Sequence, residues 1–350
     1  MEIRTIHGNF DSSSRALIEC YLKERFCLVK QGDLKSEMEL LRTGVPQGSI
    51  LGPLLFIIFV NDLNYLNVSS KLFQYADDTT ITFASKSLSI LTNTLNTDLA
   101  KVAEWLYHNH LLLNVSKTQA MDLANSSQGR KPVPAPQIEY DGKKISYVNQ
   151  VTLLGVTFNR FLNFENHTVN LCKKVNIKIF ILLRCAHLFH FNFLIILFKL
   201  FIQPHFDYCS TVYSYHSKFS TDLIDRCFRR ALHRLLKINI KDMSVEAQLS
   251  TLRKYDILPL SLRLLIRFNT FLFSICKNNN TAICSHIFGY KNAKENLILP
   301  KMQKHSFTTV SIKILNLYLL NNLFLSKETF IFFIKKEILD LYNKTIEFFS

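Results

Sequence analysis

"FQYADDTTITF", residues 73–83, sets Asp77 and Asp78 side by side between two stretches that alternate in polarity. Phe73 and Tyr75 share one parity, and Ile81 and Phe83 share one after the break. That period of two predicts strand, tight turn, strand, with the acidic pair at the tip. Two adjacent carboxylates repel, and a divalent cation between them removes the conflict. Magnesium takes one or two carboxylates and completes its shell with phosphate oxygens and water, so the pair suits a site finished by a nucleotide. Asp-Asp is also ordinary turn chemistry, because Asp bonds its own backbone and tolerates tight turns. The tetrapeptide alone leaves both readings standing.

Upstream, RTGVPQGSILGPLLFIIFVNDLNYL, residues 42–66, predicts a loop punctuated by Gly44, Pro46, Gly48, Gly52 and Pro53, followed by a strongly apolar helix from about 53 to 65. Residues 15–30 read as a helix running into a strand, with a polar loop over 31–37. Downstream, Leu88, Leu91, Leu95, Leu99, Val102 and Leu106 recur at spacings of three and four, an amphipathic helix. LLLNVSKTQAMDL, residues 111–123, reads as extended. ANSSQGRKPVPAPQ, residues 124–137, holds three prolines and reads as a long surface loop. Beyond it come a hairpin turning at Asp141-Gly142 and a third strand from Val151 to Phe158.

From residue 164 the pattern turns helical and basic. In TDLIDRCFRRALHRLLKI, residues 221–238, Leu223, Ile224, Cys227, Ala231, Leu235 and Ile238 form an apolar stripe, while Arg226, Arg229, Arg230, Arg234 and Lys237 lie mostly off it. Such a face is either simply solvated or able to grip phosphates without reading sequence. The 42 Lys and Arg against 27 Asp and Glu leave a formal charge of +15, which points to a polyanionic partner. The eight cysteines show neither C-x-x-C nor zinc-ligand spacing, and read as scattered buried thiols. MEIRTIHGNF lacks the basic and apolar regions of a signal peptide, so an intracellular setting is expected. The apolar run from Leu188 to Ile202 is interrupted by His190, Asn192 and Lys199 and falls short of the roughly 20 residues that cross hydrocarbon, so it reads as a buried helix, with no membrane partner.

Several of these stretches together resemble the reverse transcriptases of non-LTR retrotransposons, of the LINE or jockey kind. Tyr75-Ala76-Asp77-Asp78 resembles their catalytic hairpin, and Gly44-Val45-Pro46-Gln47-Gly48-Ser49 with ILGPLLFIIFVNDL resembles the loop and helix before it. LNVSKTQ, residues 113–119, is similar to the segment that ends the palm, with Lys117 at the family's lysine, and LLGVTFN, residues 153–159, to the strand called the primer grip. LFKLFIQPHFDYCSTVY, IDRCFRRALHRLL and a tail over about 305–342 are similar to the region that follows, so the likeness runs from about residue 15 to 342.

The resemblance implies an α+β fold: a partial polymerase palm, an antiparallel sheet with helices, over residues 1–165, then a mostly helical thumb and C-terminal region over 166–350. It implies RNA-directed DNA polymerase activity, with an RNA template, a DNA primer, deoxynucleoside triphosphates and two magnesium ions as partners, and action in the nucleus, although no clear localisation signal is present. Asp77 and Asp78 become catalytic metal ligands. Lys117 serves a triphosphate and its leaving pyrophosphate. Gly44 and Gly48 let backbone approach a base pair, Pro46 shapes the loop between them, Gln47 bonds the template, and Ser49 caps the next helix. Tyr75 joins the nucleotide-binding set. Leu154, Gly155 and Val156 hold the primer end, where a core strand explains them nearly as well, and Arg226, Arg229 and Arg230 contact nucleic acid.

The family also places a further metal-binding aspartate on a strand before the loop. Asp11, in GNFDSSS, has no apolar strand around it and is no substitute, so the sequence reads as beginning inside the palm, without the fingers. Two readings follow: a polymerase domain of weak or no activity as this chain, or a catalytically dead nucleic-acid-binding remnant.

Overall fold

Asp11 accepts the backbone N–H of Ser14 at 2.6 Å, a side-chain cap that starts helix α1, Ser12–Leu22. The computed structural model describes residues 11–41, 44–123, 136–214 and 217–277. Most of the proline-rich 124–137 stretch and the tail at 305–342 lie outside the described residues.

The chain divides into two units, Met1–Asp122 with Ser127–Val148, and Leu123–Ser126 with Asn149–Ser350. In the first, α1 leads to β1 (Arg25–Cys27), a small hairpin of β2 (Lys30–Gln31) and β3 (Leu34–Lys35) where a polar loop is predicted, and β4 (Glu39–Leu41), which pairs antiparallel with β1. Helix α2, Leu51–Val60, runs into a 3-10 turn over Asn61–Tyr65, so the predicted apolar helix is two segments that begin slightly earlier than expected. It buries Gly52, Leu55 and Val60 and leaves Leu54 and Ile57 exposed.

β5, Lys71–Tyr75, and β6, Asp78–Thr82, make the predicted hairpin. Helix α3, Leu88–His108, follows the predicted stripe, burying Leu99, Val102 and Ala103. Residues 111–123 are extended only in part: a turn at 115–117 precedes β7 (Gln119–Ala120). β8 (Glu139–Tyr140) and β9 (Lys143–Lys144) turn at Asp141-Gly142 as predicted, and β10 (Ser146–Tyr147) lies parallel to β7. All six sheets of the described residues are two-stranded, five antiparallel and one parallel.

The second unit opens with a correction. The single strand predicted from Val151 to Phe158 is a hairpin, β11 (Gln150–Leu153) and β12 (Val156–Asn159), in register Leu153 to Val156. Leu154 and Gly155 both have positive φ, 47° and 77°, the requirement of a two-residue turn that keeps the strand twist. Helices α4 (Glu165–Cys185), α5 (Phe191–Leu197), α6 (Gln203–Asp207), α7 (Ser210–Tyr213), α8 (Lys218–Leu236), α9 (Val245–Arg253) and α10 (Leu260–Lys277) follow, with one π-helical turn at Phe198–Ile202.

The core of this unit forms where α4 lies on α8: Leu171, Cys172, Val175 and Ile179 meet Ile224, Cys227, Phe228 and Ala231. Phe228 receives the edges of Phe198 and Phe206, at centroid distances of 5.8 and 5.5 Å. The run from Leu188 to Ile202 is half-buried, not buried. Ile195, Phe198 and Ile202 enter the core, while Leu188, Ile196 and Leu200 remain exposed. No described helix is long and apolar enough to cross a membrane. Nor are the thiols uniformly buried: Cys20, Cys27 and Cys185 are exposed, whereas Cys172 and Cys227 are buried at the α4–α8 contact, where the Cys227 thiol donates to the Cys172 carbonyl at 3.9 Å.

Candidate functional site

The β5–β6 ladder closes with Tyr75 opposite Asp78, which leaves Ala76 and Asp77 as the two turn residues. Ala76 takes φ 52°, left-handed backbone in a residue that carries a Cβ. Opposed residues share a face, so Phe73, Tyr75 and Asp78 point one way and Leu72 and Ile81 the other. Leu72 and Ile81 are the half-buried side, and Phe73 and Tyr75 are 57% and 65% exposed. The predicted alternation is present, but its aromatic parity faces outward, beside an exposed carboxylate.

The hairpin is hung from α3. Asp98, 1% exposed, accepts the backbone N–H groups of Ser69 and Ser70, the latter at 2.8 Å, and the Ser70 hydroxyl at 2.6 Å. One turn on, Lys101 donates to the carbonyl of Asn67 at 2.6 Å. These bonds fix the residues directly before β5. Leucine spacing found α3, yet nothing in that spacing marks Asp98. An acid directly before Leu99 and one turn before Val102, both buried, was the signal available.

In the glycine-bearing loop, Ser49 performs the expected capping: its Oγ accepts the N–H of Gly52 at 3.0 Å and donates to the carbonyl of Pro46 at 2.8 Å. A Cβ on Gly52 would stand 2.8 Å from that Oγ and 3.3 Å from the Pro46 carbonyl, so glycine there lets the loop fold down onto the helix. Gly44 and Gly48 have φ near 80°, with open space where a Cβ would project. Gly44 is tied to β1 through its carbonyl, which accepts from Arg25 at 2.7 Å. Gln47 is exposed.

Lys117 sits on an exposed turn whose backbone is held by Asn114, at 3.2 Å to the carbonyl and 3.1 Å to Oδ1. Among the described residues no ion pair joins it to Asp77 or Asp78. Leu154 and Gly155 are the tip of the β11–β12 turn, and Val156, 3% exposed, belongs to the core. On α8, Arg226 is exposed and bonds the carbonyl of Asp222 at 3.2 Å. Arg229 is ion-paired with Asp225 at 2.8 Å, and Arg230 reaches Asn176 at 3.5 Å. Burial pushes the Asp225 carboxyl above the usual range against the pull of Arg229. Asp225 thus matches one of the three expected cations within the protein.

The acidic hairpin, the loop and Lys117 lie in the first unit, and the β11–β12 turn and α8 in the second. Among the described residues no group of three or more His, Cys, Asp or Glu gathers around Asp77 and Asp78. Asp11, spent on capping α1, has its carboxyl held below the usual range by that backbone bond to Ser14. The donor set of two adjacent, exposed carboxylates fits one magnesium ion whose other ligands come from phosphate and water.

The reverse transcriptase (RNA-dependent DNA polymerase) family matches residues 8–158, a span that holds the loop, the acidic hairpin, Lys117 and the β11–β12 turn. The chain carries a reverse transcriptase domain in that span. It is a domain of the jockey-like, non-LTR retrotransposon kind. The RNA-directed DNA polymerase from mobile element jockey of Drosophila melanogaster is 27% identical over 170 residues, 47% of this chain and 18% of that protein. The probable RNA-directed DNA polymerase from transposon BS is 30% identical over 165 residues, and that from transposon X-element 26% over 167, both of Drosophila melanogaster. They align over 45% and 47% of this chain respectively, and each over 18% of its own length. The chain thus spans under a fifth of the length of these relatives. No solved structure matches it.

Proposed function

We propose that this chain is the palm and thumb portion of an RNA-directed DNA polymerase, binding a DNA primer on an RNA template while adding nucleotides slowly or not at all. The palm reading covers residues 1–165 and the helical thumb the remainder. The observation that carries it is the pair Asp77 and Asp78 at an exposed, externally anchored hairpin tip, with no third acidic ligand among the described residues.

Asp77 and Asp78 would hold a magnesium ion together with the phosphates of a deoxynucleoside triphosphate. Bound there, the ion supplies the positive charge that offsets both the acidic pair and the triphosphate. Lys117 adds a point charge toward the leaving pyrophosphate. Gln47 and the backbone of Gly44 and Gly48 face the template, Tyr75 the nucleotide, and the 154–156 turn the primer end. Arg226 and Arg230 are the α8 cations suited to phosphate. A two-ion site needs more acidic ligands than this pair, and loss of one ligand charge costs orders of magnitude in rate.

Primer extension on an RNA template, with magnesium and with the Asp77→Ala variant as control, tests the reading. Binding of the primer–template with extension at or near the control level is the expected result. Robust extension lost in the variant would overturn the low-activity part, and absence of nucleic-acid binding would overturn the whole. Salt separates the second reading, a binding remnant alone: its affinity falls with salt and is indifferent to Asp77 and Asp78.

A further inference from the structure

The β11–β12 turn is braced from a distant part of the sequence. Tyr208 donates its hydroxyl to the carbonyl of Leu154 at 2.6 Å, across 54 residues. The same ring fills the space beside Gly155: a Cβ there would touch Cε1 at 3.4 Å and Oη at 3.9 Å, on backbone that already has φ 77°. One side chain thus engages both turn residues, through a carbonyl and through van der Waals contact.

The mount of Tyr208 is rigid. It follows directly on α6 and its backbone N–H bonds the carbonyl of Pro204 at 3.0 Å. Asp207, the preceding residue, is clamped by Arg263 and Arg267 of α10, and Phe206 is fully buried with its carbonyl accepting from Tyr213 at 3.1 Å. Cys209, at φ 49°, turns the chain sharply away on the other side. A tyrosine fixed at its base and bonded at its tip acts as a strut between the helical bundle and the hairpin.

We propose that Tyr208 is a positioning residue for the primer strand: it holds the Leu154–Gly155 turn at the height where the primer end rests. The proposal depends on the polymerase reading of that turn. The bond is a single, solvent-exposed one, so its loss loosens the turn without unfolding the unit.

The test compares the whole chain with Tyr208→Phe, which keeps the ring and removes the hydroxyl, and with Gly155→Ala. Fluorescence anisotropy measures affinity for an RNA template carrying a recessed DNA primer and for the template alone, and amide exchange follows residues 153–157. Tyr208→Phe is expected to weaken primer–template binding by about three- to tenfold, the equivalent of one hydrogen bond, to leave the template-only affinity within about twofold, and to speed exchange in the turn. Gly155→Ala should shift the same preference in the same direction. A primer–template preference undiminished in Tyr208→Phe overturns the proposal, as does an equal loss on both substrates. A wild-type chain with no preference for the recessed primer removes the polymerase reading and the proposal with it.

Discussion

Through the single oxygen Oδ2, Asp98 of α3 accepts both the backbone N–H and the hydroxyl of Ser70, at 2.8 and 2.6 Å. Removing a buried acceptor strands its donors and costs their desolvation as well as the bonds. Asp98→Ala is therefore expected to lower unfolding free energy by about 2–4 kcal/mol. Asp98→Asn, which keeps one acceptor oxygen, should lose about half of that. Urea unfolding followed by the fluorescence of Trp105, the lone tryptophan, on the same helix, measures both.

Asp207 receives Arg263 through both carboxylate oxygens, at 2.6 and 2.5 Å, and Arg267 at 2.8 Å. The acid is buried and holds both arginines, so deleting it breaks every bond of the cluster at once. Asp207→Ala should cost about 2–4 kcal/mol through the loss of three charge-assisted hydrogen bonds, softened because water reaches both arginines. Arg263→Met should cost less, and the double variant less than the sum, because the coupled groups share one network. Denaturant midpoints for the wild type and the three variants give the coupling directly.

His167 lies against the Tyr213 ring at 4.7 Å, with Nδ1 accepting from the backbone N–H of Thr157 at 3.3 Å. Burial, with the Lys174 charge second, holds it below the ordinary imidazole range. His205 is lowered likewise by burial and then by Lys178 and Lys174. When pH falls through about 6.5 the unfolded imidazoles take up protons that the folded ones still refuse. The unfolded state binds more protons there, so stability from these groups is fully present above about 6.5 and is lost as pH falls through the folded values. Urea midpoints should decline on acidification from neutral pH, and the decline should be shallower in His167→Gln. An identical slope in that variant would remove His167 from the account.

Asp77 and Asp78 make no ion pair among the described residues and are exposed. Substituting either with Asn should change stability by no more than about 0.5 kcal/mol. Manganese binding in the presence of a deoxynucleoside triphosphate, read by electron paramagnetic resonance, should fall at least tenfold in either variant. Unchanged binding would assign the acids to turn formation alone.

Legibility in the sequence followed the range of the interactions. Strand alternation and the Asp-Asp bend are local, and the β5–β6 hairpin appeared where residues 73–83 place it. The stripes of α3 and α8 likewise follow from spacing within one helix. The β11–β12 turn was missed because Leu-Leu-Gly offers apolar continuity, and the positive φ of Leu154 and Gly155, braced by Tyr208 54 residues away from Leu154, breaks the strand. Asp98 and Asp207 escaped for the same reason: a lone acid gains meaning from partners 28 or 56 positions distant. The exposure of Phe73 and Tyr75 was illegible because alternation fixes which residues share a face, not which face is covered.

Alanine at position 76, where φ is 52°, trades energy for narrowness. A left-handed alanine costs about 1 kcal/mol that a glycine would not. Glycine would in exchange admit several bend geometries, and it widens the unfolded ensemble as well. The chain itself fixes how far Asp77 stands from Asp78, but not the direction in which each carboxylate leaves the bend. With alanine the tip is a spring with one rest position, where glycine would make it a swivel.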